Sequence, residues 1–504
     1  MDILTNTISL LFRPRQKEIA RFAQDADAIQ RKQLKSLLSA AKDTEWGLKY
    51  DYKSIQGYAD FCERIPLQTY DDIKPYVIRM INGEKNILWP SVVRWYAKSS
   101  GTTNDKSKFL PVTPEILKGC HYKGGFDTVS IYLRNNPDSH FFASKGLILG
   151  GSHSPSPLNR NAHCGDLSAV LLQNLNPLVN LIRVPDKKII LMDEWESKIK
   201  AIVESTWKAD VNSLSGVPSW MLVLIKAVLR KAGCEYLTDV WPNMEVFFHG
   251  GISFEPYRDQ YKALIPSDRM HYMETYNASE GFFGLQDDPA EHSLLMMIDY
   301  GVFYEFIPLN EVDSEHPTVL PLEAVEVGKN YAMVITTSGG LWRYQIGDTV
   351  RFTSLYPYKF VISGRTKNFI NAFGEELMVD NADKAISSVC RLTGAKVKEY
   401  TAAPLFMLDK AKGRHQWLIE FEKMPPSLEE FASLLDKTLQ QLNSDYEAKR
   451  YKEISLQPLE IRVAREGTFY EWLRRKGKLG GQHKIPRLSN DRTFIEELGR
   501  ICDL

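Results

Sequence analysis

Five short segments of this 504-residue chain gather hydroxyl, glycine, carboxylate and cationic residues closely enough to act on a phosphorylated substrate. The first is Ser99-Ser100-Gly101-Thr102-Thr103, which follows the apolar, aromatic stretch Val92-Val93-Arg94-Trp95-Tyr96-Ala97. Hydroxyls clustered around a glycine suit a turn whose backbone N–H groups and side chains surround phosphate oxygens. Lys108, a few residues on, can neutralise phosphate charge. The spacing G-x-x-x-x-G-K-[ST] is absent, so this is not a P-loop, and such clusters are more often plain surface loops.

The second segment is Tyr276-Asn277-Ala278-Ser279-Glu280-Gly281. Its ring can stack on a purine, its hydroxyl can reach a phosphate and its carboxylate can hold magnesium through hard oxygen ligands. The third, Trp342-Arg343-Tyr344-Gln345-Ile346-Gly347-Asp348, sets a carboxylate beside a glycine, where it can accept both hydroxyls of a ribose; alone, Gly-Asp reads as a hairpin turn. The fourth runs from Ile362-Ser363-Gly364-Arg365-Thr366-Lys367 to Gly374-Glu375-Glu376, and the fifth is Gly481-Gln482-His483-Lys484-Ile485-Pro486-Arg487.

These segments need elements to hold them. Apolar residues at steps of three to five predict one amphipathic helix over 16–42, and Thr113-Pro114-Glu115 carries an N-cap and first-turn proline for another. Apolar, β-branched runs predict strands at 188–192, 244–248 and 331–336, alternating with helices at 196–207 and 219–231. That alternation indicates an α/β fold, with a large, multi-sheet N-terminal domain. The chain divides best near Gly364-Arg365-Thr366-Lys367, giving domains of 1–364 and 365–504. Beyond the joint, a helix near 380–393, strand 416–421, a helix near 427–442 and strand 459–463 form a smaller α+β unit.

Composition narrows the classes. With 63 basic against 63 acidic residues, the chain has no excess positive charge for an extended nucleic-acid surface. Six scattered cysteines form no C-x-x-C pair, which excludes a zinc knuckle or dithiol motif. No run of about 18 apolar residues spans a bilayer, and Ile8-Ser9-Leu10-Leu11-Phe12 is too short for a signal-peptide core, so a cytoplasmic location is expected.

Together, in this order, the five segments resemble the adenylate-forming superfamily of acyl-CoA ligases, luciferases and nonribosomal adenylation domains. Lys108-Phe109-Leu110-Pro111, Ser279-Glu280 with Phe283-Gly284, Trp342 to Asp348, Pro458-Leu459-Glu460-Ile461-Arg462-Val463, Gly467-Thr468-Phe469 and Gln482 to Arg487 narrow the match. They resemble the Gretchen Hagen auxin-responsive family of acyl-acid amido synthetases across essentially the whole chain. The resemblance implies ATP and Mg2+ as cofactors and a small carboxylic acid and an amino acid as substrates. It assigns Ser99, Ser100, Gly101, Thr102, Thr103 and Lys108 to the ATP phosphates, and Gly250 and Gly251 to close approach of the adenine. Tyr276 would pack against the base, Asn277 and Ala278 would belong to the nucleotide-binding residues, Ser279 would contact the α-phosphate and Glu280 would bind the metal. Asp348 and Arg365 would hold the ribose, Lys367 would be the hinge of a mobile C-terminal domain, and Lys484 its catalytic lysine. The acid pocket would draw on Tyr122, Phe126, Val217 and Trp220. Two departures from the superfamily pattern are Asn104-Asp105 in the phosphate loop and Asn277 after the tyrosine.

Three other classes compete. An acyl-CoA ligase shares the adenylation motifs and makes a thioester instead of an amide; the C-terminal resemblance opposes it. A serine hydrolase is suggested by His249-Gly250-Gly251, but no G-x-S-x-G occurs. A nucleotide sensor would have no use for Lys484.

Overall fold

The computed structural model describes residues 2–99, 108–156, 158–252, 254–312, 314–366, 369–370, 372–373, 375, 377–406, 413–450, 456–476 and 485–502. A twelve-stranded sheet runs through the large N-terminal part. Parallel pairing joins Lys145–Ile148, Val211–Gly216, Val246–Gly250 and His271–Ala278. From His271–Ala278 onward the ladder is antiparallel, through Gly281–Leu285, Leu294–Met296, Tyr358–Arg365, Tyr344–Leu355 and Asn330–Thr337. The parallel half needs helical crossovers, which Trp195–Thr206 and Pro218–Ala232 supply. A separate four-stranded sheet pairs Trp95–Ser99 with Lys108–Val112 and with His163–Gly165.

Two expectations need correction. The single helix expected over 16–42 is two helices, Ile3–Ala20 and Phe22–Ala41, separated at Arg21, whose N–H bonds back to Glu18 and Ile19 carbonyls. Residues 188–192 are not a strand: Asp186 precedes a helical turn, Lys187–Ile190, of which only Ile190 is fully buried. A short apolar run suits either conformation until packing decides. The other expected elements form within two or three residues of their predicted ends.

Thr113 caps its helix by accepting from Ile116 N at 3.1 Å, with Pro114 in the first turn. The chain continues through a π-helical stretch, Leu117–Tyr122, into Lys123–Asn135. Arg15 fixes this helix to the protein, donating to Asp127 and to Asp299, while Tyr300 donates to Asp127 at 2.7 Å. Because Asp127 is fully buried, removing Arg15 would leave a buried charge uncompensated, a change that typically costs about 3–5 kcal/mol.

Beyond residue 365, strand Lys396–Phe406 pairs antiparallel with Gly413–Lys423, which pairs parallel with Glu460–Ala464. Period-two alternation sorts the middle strand. Trp417 and Ile419 pack with helices Val379–Thr393 and Leu428–Leu442, and Leu418 packs with Phe469, Trp472 and Leu498 on the other face. No helix among the described residues is long and apolar enough to cross a membrane.

Candidate active site

The hairpin between His271–Ala278 and Gly281–Leu285 turns on two residues, Ser279 and Glu280. Hairpin tips normally lie in solvent, yet here Ser279 is 9% and Glu280 6% exposed. Burial, followed by the nearby Asp348 charge, pushes the Glu280 carboxyl up to about 7; Lys108 and Arg365 oppose the rise. A buried carboxylate in this state favours any arrangement that brings a cation to it.

Gly347 adopts φ +84° inside strand Tyr344–Leu355, and the pairing with Asn330–Thr337 shifts around it. The Gly-Asp pair is therefore a bulge within a strand and not a hairpin turn, because Thr349 resumes pairing with Ala332 immediately afterwards. The bulge sets Asp348 opposite Arg365 on the next strand. Arg365 Nε donates to Asp348 Oδ1 at 2.8 Å, and the Tyr276 hydroxyl donates to Asp348 Oδ2. The Tyr276 ring itself is buried edge-on against Phe283, with centroids 5.1 Å apart.

Gly250 pairs with Thr275, and a Cβ there would come within 2.2 Å of the Thr275 carbonyl oxygen, so only glycine fits. Gly251 follows at φ +85°. Ser99 and Lys108 are register partners at the ends of an antiparallel pair, which makes 100–107 their connection. Ser100, Gly101, Thr102 and Thr103 lie outside the described residues, as do Lys367 and Lys484. Ile485, Pro486 and Arg487, which follow Lys484, are described and line the same cleft as the hairpin.

That cleft, of about 2220 Å³, brings together Gly250, Gly251, Tyr276, Asn277, Ala278, Ser279, Glu280, Asp348 and Arg365 with Tyr122, Phe126, Val217 and Trp220. Tyr122 donates its hydroxyl to the Leu171 carbonyl at 2.9 Å, and Trp220 packs edge-on against Trp195. Phe126 stacks obliquely on Phe12 at 4.5 Å while remaining half exposed. Two lining residues carry no motif that reveals them. His121 meets Asn277, its Nδ1 lying 2.9 Å from Asn277 Oδ1, and Glu274 is pushed up to about 7 by burial. Both stand beside recognisable residues, the only signal for them in the chain.

Glu280, buried at the hairpin tip and lining the cleft, is a carboxylate that could hold a divalent cation. Among the described residues no group of three or more His, Cys, Asp or Glu side chains converges on a metal position. A single carboxylate such as Glu280 would suit magnesium, which typically takes one or two carboxylates and fills its remaining positions with phosphate oxygens and water. The hydrolase alternative finds no support: His249 is stacked on Phe254 at 4.2 Å and held neutral, its pKa pushed down to about 3 by burial. Among the described residues no hydroxyl or carboxylate is hydrogen-bonded to its ring.

Models of the N-terminal, central and C-terminal domains of the GH3 family match residues 15–270, 295–365 and 380–493. The chain belongs to the GH3 family. It is 25% identical to the indole-3-acetic acid-amido synthetase GH3.3 of Arabidopsis thaliana, over 95% of this chain and 92% of that one. The 4-substituted benzoates-glutamate ligase GH3.12 of the same plant is 22% identical, covering 94% of each. Among solved structures, the GH3.15 acyl acid amido synthetase superposes with a TM-score of 0.77 at 20% identity, over 96% of this chain and 94% of that one. The 2-hydroxyisobutyryl-CoA ligase in its postadenylation state gives 0.60 at 12% identity, over 95% and 92%. These likenesses establish the fold of this GH3 protein.

Proposed function

We propose that this GH3 protein is an ATP-dependent acyl-acid amido synthetase, which adenylates a small carboxylic acid, releases pyrophosphate and transfers the acyl group to the amine of an amino acid. The observation that carries this reading is the convergence of Glu280, Asp348, Arg365 and Tyr276 in one cleft with an apolar, aromatic wall, in a chain matched along its length by the family. A carboxylate is a poor electrophile because attack must add charge to an anion. When its oxygen attacks the α-phosphorus and pyrophosphate leaves, the acyl carbon acquires AMP as a leaving group.

In this reading Gly250 and Gly251 admit the adenine, and Asp348 and Arg365 hold the ribose. Ser279, the segment from Ser99 to Thr103 and Lys108 hold the phosphates, and Lys484 stabilises charge developing on them. Magnesium bound at Glu280 would neutralise phosphate charge. The amine then attacks the acyl carbon, loses its proton, and AMP departs. Residues 1–364 form the adenylation domain and 365–504 a mobile domain turning at Lys367. All six cysteines are free, which suits a reducing cytoplasmic compartment.

The decisive experiment is acid-dependent exchange of pyrophosphate into ATP across a broad panel of carboxylic acids, followed by mass spectrometry with amino acids or coenzyme A. Exchange followed by amide formation supports the reading. A dominant CoA thioester would transfer the protein to the acyl-CoA ligase class, and folded protein giving no exchange would reject adenylation.

A further inference from the structure

The residue after Tyr276 is unusual in the sequence and has a partner in the structure. Asn277 turns its side chain toward His121, and both line the cleft beside the Ser279-Glu280 hairpin. His121 sits in the π-helical stretch Leu117–Tyr122, an irregularity that recurs at functional sites because it re-aims side chains. His121 is 3% exposed. Asn277 Oδ1 can only accept, so Nδ1 carries the hydrogen and Nε2 presents a lone pair. Among the described residues Nε2 has no hydrogen-bond partner. The neighbouring hydroxyl of Tyr122 is already committed to Leu171.

We propose that His121 is a fixed hydrogen-bond acceptor in the acid pocket, and that the acid it selects carries a matching donor, a hydroxyl or a ring N–H. The inference rests on the amido-synthetase reading and deepens it by naming the acid's chemistry. Burial holds the imidazole neutral, with its pKa pushed down to about 4, so the ring accepts at any physiological pH. A buried acceptor without a donor costs about 1–3 kcal/mol. A ligand that donates to Nε2 recovers that cost, and one lacking the donor does not. The same cleft also carries Phe126, Phe141, Phe248 and Trp220, aromatic surface that suits a flat ring as the carrier of the group.

The test measures kcat/KM in pyrophosphate exchange for hydroxybenzoic, hydroxyphenylacetic and indole carboxylic acids against their O-methyl or N-methyl counterparts. Donor-bearing acids are expected to exceed the capped ones by about tenfold or more. His121→Leu should erase the ratio through KM, and His121→Gln, whose amide oxygen can accept, should restore part of it. Equal values for capped and uncapped acids in the wild-type protein overturn the proposal whatever the variants do, as does an undiminished ratio in His121→Leu. If no acid supports exchange, the amido-synthetase reading fails and direct binding decides this one. Titrating the same acid pairs into protein labelled with 15N at histidine must move the His121 Nε2 resonance with donor acids only. No shift, or the same shift with both members of a pair, overturns it.

Discussion

Asp348 is shared between two partners: Arg365 Nε donates to one carboxylate oxygen at 2.8 Å and the Tyr276 hydroxyl donates to the other. The three residues come from three strands, so one carboxylate fixes the relation between the Tyr276 hairpin and the Arg365 strand that leads into the C-terminal part. Asp348→Ala strands a guanidinium and a phenol at once. Stability should fall by about 1–3 kcal/mol, and the KM for ATP should rise more than kcat falls, because a ribose contact is made in the ground state as well as the transition state. Thermal melts and exchange kinetics check both; an unchanged KM for ATP removes Asp348 from the nucleotide site.

Glu280 yields a pH prediction. Its folded pKa of about 7 lies above the ordinary value of 4.5, so between these values the folded state binds more protons than the unfolded one. The group's favourable contribution is therefore complete below pH 4.5 and is lost as pH rises through 7. Glu280→Gln cannot ionise. Without ligands it should be more stable than wild type above pH 7, by roughly 3 kcal/mol, and the gap should close toward pH 4. The same variant should lose magnesium-dependent exchange. Urea melts across pH test the first half, and a gap independent of pH would show that desolvation of this carboxylate is not its origin.

Much of this was legible in the chain because backbone requirements leave traces. The Thr113-Pro114 cap reads correctly from residue type, since capping is local. The strand expected at 416–421 is present, and its unbroken apolar run Trp417-Leu418-Ile419 fits the cover it has on both faces. What failed was decided by packing. Arg21 separates two helices within one continuous amphipathic pattern, and Ile189-Ile190 fits a strand as well as a helical turn. Gly347 read as a turn because a bulge uses the same residue; only the resumed pairing of Thr349 with Ala332 distinguishes them. His121 was invisible because its partner, Asn277, lies 156 residues away.

On the proposed reading, substitutions at the late lysine and at the joint should separate the two half-reactions. Lys484→Ala should lower exchange by several orders of magnitude if the cation stabilises transition-state charge. Lys367→Pro fixes φ near −65° and removes a donor, so it should retain exchange, lose most amide formation and accumulate acyl-adenylate. Exchange and conjugation falling in parallel in Lys367→Pro would make the joint rigid, and intact exchange in Lys484→Ala would remove that lysine from catalysis.

Tyr257 offers an independent handle on the proposed motion. Its hydroxyl donates to Glu399 Oε1 at 3.2 Å and accepts from Arg487 Nη2 at 3.1 Å, while Arg487 Nη1 lies 2.9 Å from Glu399 Oε2. Arg487 stands three residues after Lys484 in the sequence, and Ala402 N donates to its carbonyl oxygen at 2.9 Å, so this triad ties Arg487 and strand Lys396–Phe406 to the large part of the chain. The Lys226–Glu422 and Arg391–Glu255 ion pairs, which join the same two parts of the chain, are more exposed and contribute little. Tyr257→Phe removes two hydrogen bonds from the interface while leaving the ring, its packing and the Arg487–Glu399 pair in place. Losing about 1 kcal/mol from one docked arrangement changes its population roughly fivefold. The ratio of pyrophosphate exchange to amide formation should therefore shift by about that factor, with little change in melting temperature, because both folded arrangements retain their cores. A shift favouring amide formation identifies the docked arrangement with adenylation, and the opposite shift identifies it with acyl transfer. Equal changes in both rates would show instead that the triad serves only to hold the fold.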